Sequence, residues 1–96
     1  MRPSVALQNH GDAVRAIALS NRVASVRVFG SVLHGDDTEG SDLDLLVEPT
    51  ADTTLMDIAR IELALRRLLD VPVDVLTPGA LPEHFRQHVL AEAQPV

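Results

Sequence analysis

The chain has 96 residues, enough for one domain, residues 1–96, with a single hydrophobic core and little room for a separate substrate-binding domain. Its net charge of −6 and pI of about 4.9 argue against a nucleic-acid backbone as the main partner, because such binding relies on Lys and Arg. With no cysteine, no apolar run of membrane length and no signal-peptide core, the sequence is expected to be cytoplasmic, without membrane contact.

The first segment, residues 1–22, predicts a helix that packs on a sheet. Apolar residues recur there with a loose spacing of three and four. Gly11 weakens the pattern, because glycine disfavours a helix interior. The polar pair Ser20 and Asn21 is expected to lie near the end of the helix.

A short apolar run, residues 26–29, predicts the first strand, which ends at Gly30. Glycine gives the backbone freedom and has no side chain to keep a ligand away. A helical turn is predicted over residues 31–35. If this turn begins at Ser31, its free N–H groups face whatever lies in front of the strand end, which is a phosphate-binding arrangement.

The polar turn that follows, residues 36–41, contains three acids that are interpreted as solvated: Asp36, Asp37 and Glu39. Residues 42–48 then alternate in a strand-like way. Asp42 and Asp44 share one face, because a strand places residues i and i+2 on the same side. The opposite face is apolar and consists of Leu43, Leu45 and Val47. Two carboxylates this close repel each other, so both stay ionised at a low free-energy cost only with a cation between them. Their oxygens suit Mg²⁺.

The next helix is predicted from a capping box, Thr54 to Asp57, to about Leu69. Its expected buried stripe is Leu55, Ile58, Ile61 or Glu62, Leu65, Leu68 and Leu69. Three arginines lie toward the other side: Arg60, Arg66 and Arg67. They are interpreted as a solvated face, and a role in binding a partner or the nucleotide tail is the alternative.

Residues 73–76 predict a third strand that carries Asp74 between apolar neighbours. A charged residue in such a strand needs a partner, and a metal shared with the earlier acids would supply one. An edge strand with Asp74 pointing at water is the alternative.

A last helix is predicted over residues 82–92, with Leu81, Phe85, Val89 and Leu90 buried. Along this helix His84, His88 and Glu92 are interpreted as an exposed face rather than a zinc site.

Together these residues resemble a known family. Gly30-Ser31, ten intervening residues and then Asp42-x-Asp44 is similar to the signature of the nucleotidyltransferases related to DNA polymerase β. The short length makes the chain resemble the minimal nucleotidyltransferases, which often serve as antitoxins to HEPN-domain RNase toxins. The resemblance covers residues 23–76. The alternative, in which this segment has no catalytic role, is a hairpin-like loop with solvated acids.

The resemblance implies an α/β fold, a small mixed β-sheet with flanking helices like the polymerase β palm. It implies a transfer of AMP from ATP, with Gly30 and Ser31 on the triphosphate. Asp42 and Asp44 would bind two Mg²⁺ ions, and Asp74 would share one of them and take the hydroxyl proton. The family often has Arg near the position of His34. His34 is therefore a departure, interpreted either as a phosphate donor when protonated or as a solvated loop residue.

The acceptor implied by the resemblance is a hydroxyl of a partner protein, a Tyr of the HEPN toxin. Two alternatives remain open at this point. One is an antitoxin that neutralises its toxin by covering it. The other is a small-molecule nucleotidyltransferase that works as a dimer, which leaves a homo-oligomer open.

Overall fold

Four α-helices and four strands make up the chain in its computed structural model, which describes residues 1–96. In chain order the elements are α1 (Pro3–Leu19), β1 (Val23–Phe29), α2 (Ser31–His34), β2 (Leu43–Pro49), α3 (Leu55–Leu69), β3 (Val73–Leu76), a 3₁₀ turn (Pro78–Ala80), α4 (Glu83–Glu92) and β4 (Gln94–Pro95). No helix is both long and apolar enough to cross a membrane.

The strands form one mixed sheet in the order β3-β2-β1-β4. The β1–β2 and β1–β4 pairs are antiparallel, and β2–β3 is parallel. Phe29 pairs with Asp44, and Asp44 pairs in turn with Asp74. The end of β1 and the two acidic strands therefore meet at one place, and the predicted small mixed sheet with flanking helices is confirmed.

The main core lies between the sheet and the helices α1 and α3. Its sheet side includes the predicted apolar face of β2, Leu43, Leu45 and Val47, all fully buried. Burying one such Leu side chain contributes about 2 kcal/mol. The opposite face of the sheet carries a second, smaller cluster: Phe29, Leu46, Leu81, Val89 and Ala93. This second cluster packs α4 on the same face of β2 that carries Asp44.

Helix α3 begins at the capping box predicted from the sequence. Thr54 Oγ1 accepts from the Asp57 amide at 3.2 Å, and Asp57 Oδ2 accepts from the Thr54 amide at 2.9 Å. The buried stripe is shifted from the predicted one, since Asp57 lies on it and Leu55 is 88% exposed. Leu55 stands two residues, roughly 200°, before Asp57 and so faces away from the core. Leu68, also predicted to be buried, is exposed.

Two further predictions about burial were wrong. Phe85 is exposed although it shares a helix face with the buried Val89, because it lies in the first turn of α4 and the second cluster contains Val89 and Ala93 but not Phe85. Asp37 is buried rather than solvated: its Oδ2 accepts from the Ser4 amide at 2.8 Å, and its Oδ1 accepts from Arg2 Nη2 at 3.1 Å. Helix α1 has no side-chain cap of its own, so Asp37 satisfies a free amide of its first turn.

Candidate active site

The site begins at Gly30, the residue that joins β1 to α2. Its backbone has φ 75° and ψ −152°, a conformation that glycine adopts without strain. A Cβ at this position would lie 2.5 Å from Asp44 Oδ2. The missing side chain therefore allows the Asp44 carboxylate to lie against the backbone, which joins the Gly-Ser element and the acidic strand in one site.

Helix α2 is a single turn that begins at Ser31 and closes at Gly35 in the left-handed conformation. The Ser31 hydroxyl makes no hydrogen bond within the chain, so it is available to a ligand. The first N–H groups of any helix lack intrahelical partners. The predicted short turn after Gly30 is confirmed, and it presents polar donors beside Asp44.

Three carboxylates come together at this end of the sheet. Asp42 directly precedes β2, Asp44 lies within it, and Asp74 is the register partner of Asp44 on β3. Burial, together with the charges of Asp74 and Asp42, raises the pKa of Asp44 to about 6. Burial, the charge of Asp42 and the charge of Glu62 raise the pKa of Asp74, and Arg66 partly offsets them. The acids thus repel one another at neutral pH.

This group of oxygens fits a hard divalent cation, because a cation between the carboxylates would relieve their repulsion. As the side chains stand, no three acidic or histidine residues form a metal-binding cluster. A bound cation would therefore have to draw the carboxylates inward. Asp74 points partly into solvent, with its side chain 48% exposed, so it has room to move.

His34 lies on the same turn as Ser31, and its contact runs to the last helix. Its Nε2 is 3.0 Å from Glu92 Oε1, and the same oxygen is 3.3 Å from His88 Nε2. Glu92 thus ties α2 to α4. Sequence spacing placed Glu92 with His88 on one helix face but gave no signal for His34, which lies far away in the chain.

Two residues of α3 that the sequence did not assign to the site contact the strand of Asp74. Arg66 Nη2 lies 3.9 Å from Asp74 Oδ1, and Glu62 Oε2 accepts from the Val75 amide at 3.0 Å. Arg66, interpreted from the sequence as solvated, also binds the Val73 carbonyl. The only sequence signal was the i, i+4 spacing of Glu62 and Arg66, which suits an ion pair on a helix.

The fold and the acidic site define a nucleotidyltransferase. Residues 12–95 match the family model described as a nucleotidyltransferase domain, so the chain belongs to that family. A solved structure described as "Structure of putative minimal nucleotidyltransferase" superposes with a TM-score of 0.86 at 42% identity, covering 97% of this chain and 95% of that one. The resemblance to the minimal nucleotidyltransferases is thereby confirmed.

Two curated relatives have names that specify the transferred group and the acceptor class. The chain is 34% identical over 77 residues to "Putative protein adenylyltransferase MJ0435" of Methanocaldococcus jannaschii, covering 80% of this chain and 83% of the relative. It is 33% identical over 70 residues to "Protein adenylyltransferase MntA" of Thermococcus cleftensis, covering 73% and 71%. A structure described as "Crystal structure of the toxin-antitoxin with AMP-PNP" shares the fold, with a TM-score of 0.73 at 19% identity, covering 91% of this chain and 71% of that one.

Proposed function

We propose that this chain, as a single domain over residues 1–96, transfers AMP from ATP to a hydroxyl of a partner protein. The partner is a HEPN-domain RNase toxin, and the chain acts as its antitoxin. The observation that carries the proposal is the contact of Gly30 with Asp44, beside the Asp44–Asp74 pair. The names of the two adenylyltransferase relatives and the toxin–antitoxin structure with AMP-PNP support the same reading.

In this reaction the acceptor oxygen attacks the α-phosphorus of ATP. A new P–O bond forms, the bond to pyrophosphate breaks, and Asp74 accepts the hydroxyl proton. Gly30 and Ser31 hold the triphosphate, and His34 donates to it when protonated. Asp42 and Asp44 would hold two Mg²⁺ ions, with Asp74 sharing one. Bound there, these ions would supply charge neutralisation of the pyrophosphate and a lower pKa of the acceptor hydroxyl.

The test is transfer of label. The purified chain is incubated with α-labelled ATP, Mg²⁺ and the candidate HEPN protein, and covalent label is followed on a denaturing gel. Asp44→Asn is expected to abolish labelling, and Asp74→Asn is expected to slow it strongly while leaving residual transfer, because the acceptor hydroxyl loses its proton acceptor. Asp52→Asn is the matched control, because Asp52 is an exposed turn acid whose carboxylate forms no hydrogen bond or ion pair. Absence of label from the parent chain with every HEPN partner tried would refute the enzymatic proposal. So would labelling by both site variants at the level of the parent chain.

Neutralisation by binding alone is the second candidate, and the exposed apolar side chains of α3 favour it. Leu55 is 88% exposed, Met56 61% and Leu63 51%, so α3 presents apolar side chains that a bound partner protein would cover. A binding antitoxin would protect cells from the toxin even when both Asp44 and Asp74 are Asn. An enzymatic antitoxin with the same double change would bind the toxin without protecting. Growth after toxin induction, at matched protein levels, separates the two.

A further inference from the structure

Asp74 sits on an edge strand, so one side of its backbone has no neighbouring strand. The sheet order places β3 at the margin, where it pairs only with β2. An edge strand of four residues is a weak support for a group that must be held in place. Side chains from α3 fill this gap, and they do so at the two residues that flank Asp74.

Arg66 and Glu62 reach the edge from one face of α3, four residues apart. Arg66 donates to the Val73 carbonyl through Nε at 3.1 Å and Nη2 at 2.9 Å. Glu62 Oε2 accepts from the Val75 amide at 3.0 Å, and Glu62 Oε1 lies 2.9 Å from Arg66 Nη2. The backbone is therefore held directly before and directly after Asp74. The same guanidinium is 3.9 Å from Asp74 Oδ1.

We propose that Glu62 and Arg66 form a clamp that positions Asp74 against Asp44 for transfer. The clamp fixes the edge strand in the register that pairs the two acids, and Arg66 also attracts the Asp74 carboxylate. Both side chains bond to the backbone on either side of Asp74, so they are positioning residues that act through Asp74. This inference rests on the proposed function, in which Asp74 takes part in the reaction.

The variants separate positioning from general stability. Arg66→Met keeps the aliphatic stem of the side chain and removes the clamp's donors. Arg66→Lys keeps the charge and one donor. Arg67→Met is the matched control, since Arg67 is the next residue on the helix, is exposed and forms no side-chain hydrogen bond or ion pair. Arg66→Met is expected to lower kcat at least tenfold with the KM for ATP within twofold, and Arg66→Lys is expected to restore part of the loss.

A double-mutant cycle with Asp74→Asn tests whether Arg66 acts through Asp74. If it does, Arg66→Met has no further effect on the residual activity of Asp74→Asn. The proposal would be overturned if the loss of kcat in the double variant equalled the product of the losses in Arg66→Met and Asp74→Asn. So would a loss of kcat in Arg67→Met equal to that in Arg66→Met.

A second measurement does not depend on transfer. In amide hydrogen exchange by NMR, Glu62→Ala is expected to speed exchange at Val75 at least tenfold. Arg66→Met is expected to speed it several-fold, because Arg66 holds the Glu62 carboxylate, and Arg67→Met is expected to leave it unchanged. Unchanged exchange at Val75 in both clamp variants would refute the clamp. If the parent chain transfers no label but exchange responds as expected, the proposed function fails while the clamp stands.

Discussion

Replacing Asp44 by Asn should stabilise the metal-free protein at neutral pH. The pKa of Asp44 lies at about 6 in the folded chain, against 3.8 for an ordinary aspartate, because of burial and then the charges of Asp74 and Asp42. A folded-state pKa above the unfolded value means that the folded chain holds the proton more tightly. The stability that comes from this protonation is full below about pH 4 and is lost as the pH rises through about 6.

The size of the stability gain in Asp44→Asn follows from the pKa shift of Asp44. A difference of about two pKa units corresponds to about 3 kcal/mol. Because Asp44 is only partly buried, solvent screening reduces this to about 1–2 kcal/mol at pH 7.5. Asn carries no charge and removes this cost. For a domain of this size that gain raises Tm by roughly 4–15 °C.

The assay is a set of thermal melts in chelator-treated buffer from pH 4 to pH 8. The variant should melt above the parent chain at pH 7.5, and the gap should close toward pH 4. Asp52→Asn, which removes one charge from a solvated turn, should show no such gap. A variant that melts below the parent at pH 7.5, or a gap that is the same at every pH, would refute the reasoning.

Three other changes test separate parts of the structure. Gly30→Ala places a Cβ 2.5 Å from Asp44 Oδ2 at a φ of 75°, so it should cost about 1–3 kcal/mol in denaturant unfolding and abolish transfer; a stable, active variant would contradict the site geometry. Burial alone would raise the pKa of Asp37, but hydrogen bonds from Ser4 and the charge of Arg2 lower it overall. Asp37→Asn should therefore lower the urea midpoint at pH 7, with a difference that shrinks as the pH falls below about 4; a difference independent of pH would argue against it. Thr54→Ala should lose about 1 kcal/mol of helix capping, measured in urea, while transfer stays within twofold.

Short-range sequence patterns predicted much of the fold, because the hydrophobic spacing and the helix cap in each segment indicate the same element that the structure shows. The alternation around Asp44 predicted the strand and its buried face, which the structure shows. The capping box at Thr54 fixed the start of α3 to the residue. These signals depend on neighbours a few positions apart, and no distant contact overrides them.

Two features were missed because they depend on contacts between residues far apart in the chain. The burial of Asp37 depends on the free amide of Ser4, and the partner of His34 is Glu92, far away in the chain. A charged residue in a loop predicts solvent exposure unless its distant partner is known. Leu55 was misplaced for another reason, because several hydrophobic stripes fit the same helix and only the packing against the sheet selects one.

The parallel pairing of β2 with β3 has a consequence for how the chain reaches its final state. A parallel neighbour is reached only through a crossover, which here contains α3, so Asp44 and Asp74 meet only when β3 docks beside β2 at the end of that connection. Closing that long connection costs entropy before any contact forms, and carboxylate repulsion adds to the same step. A cation between the two acids would relieve this repulsion, so it would stabilise the docked β3 and slow its release from β2.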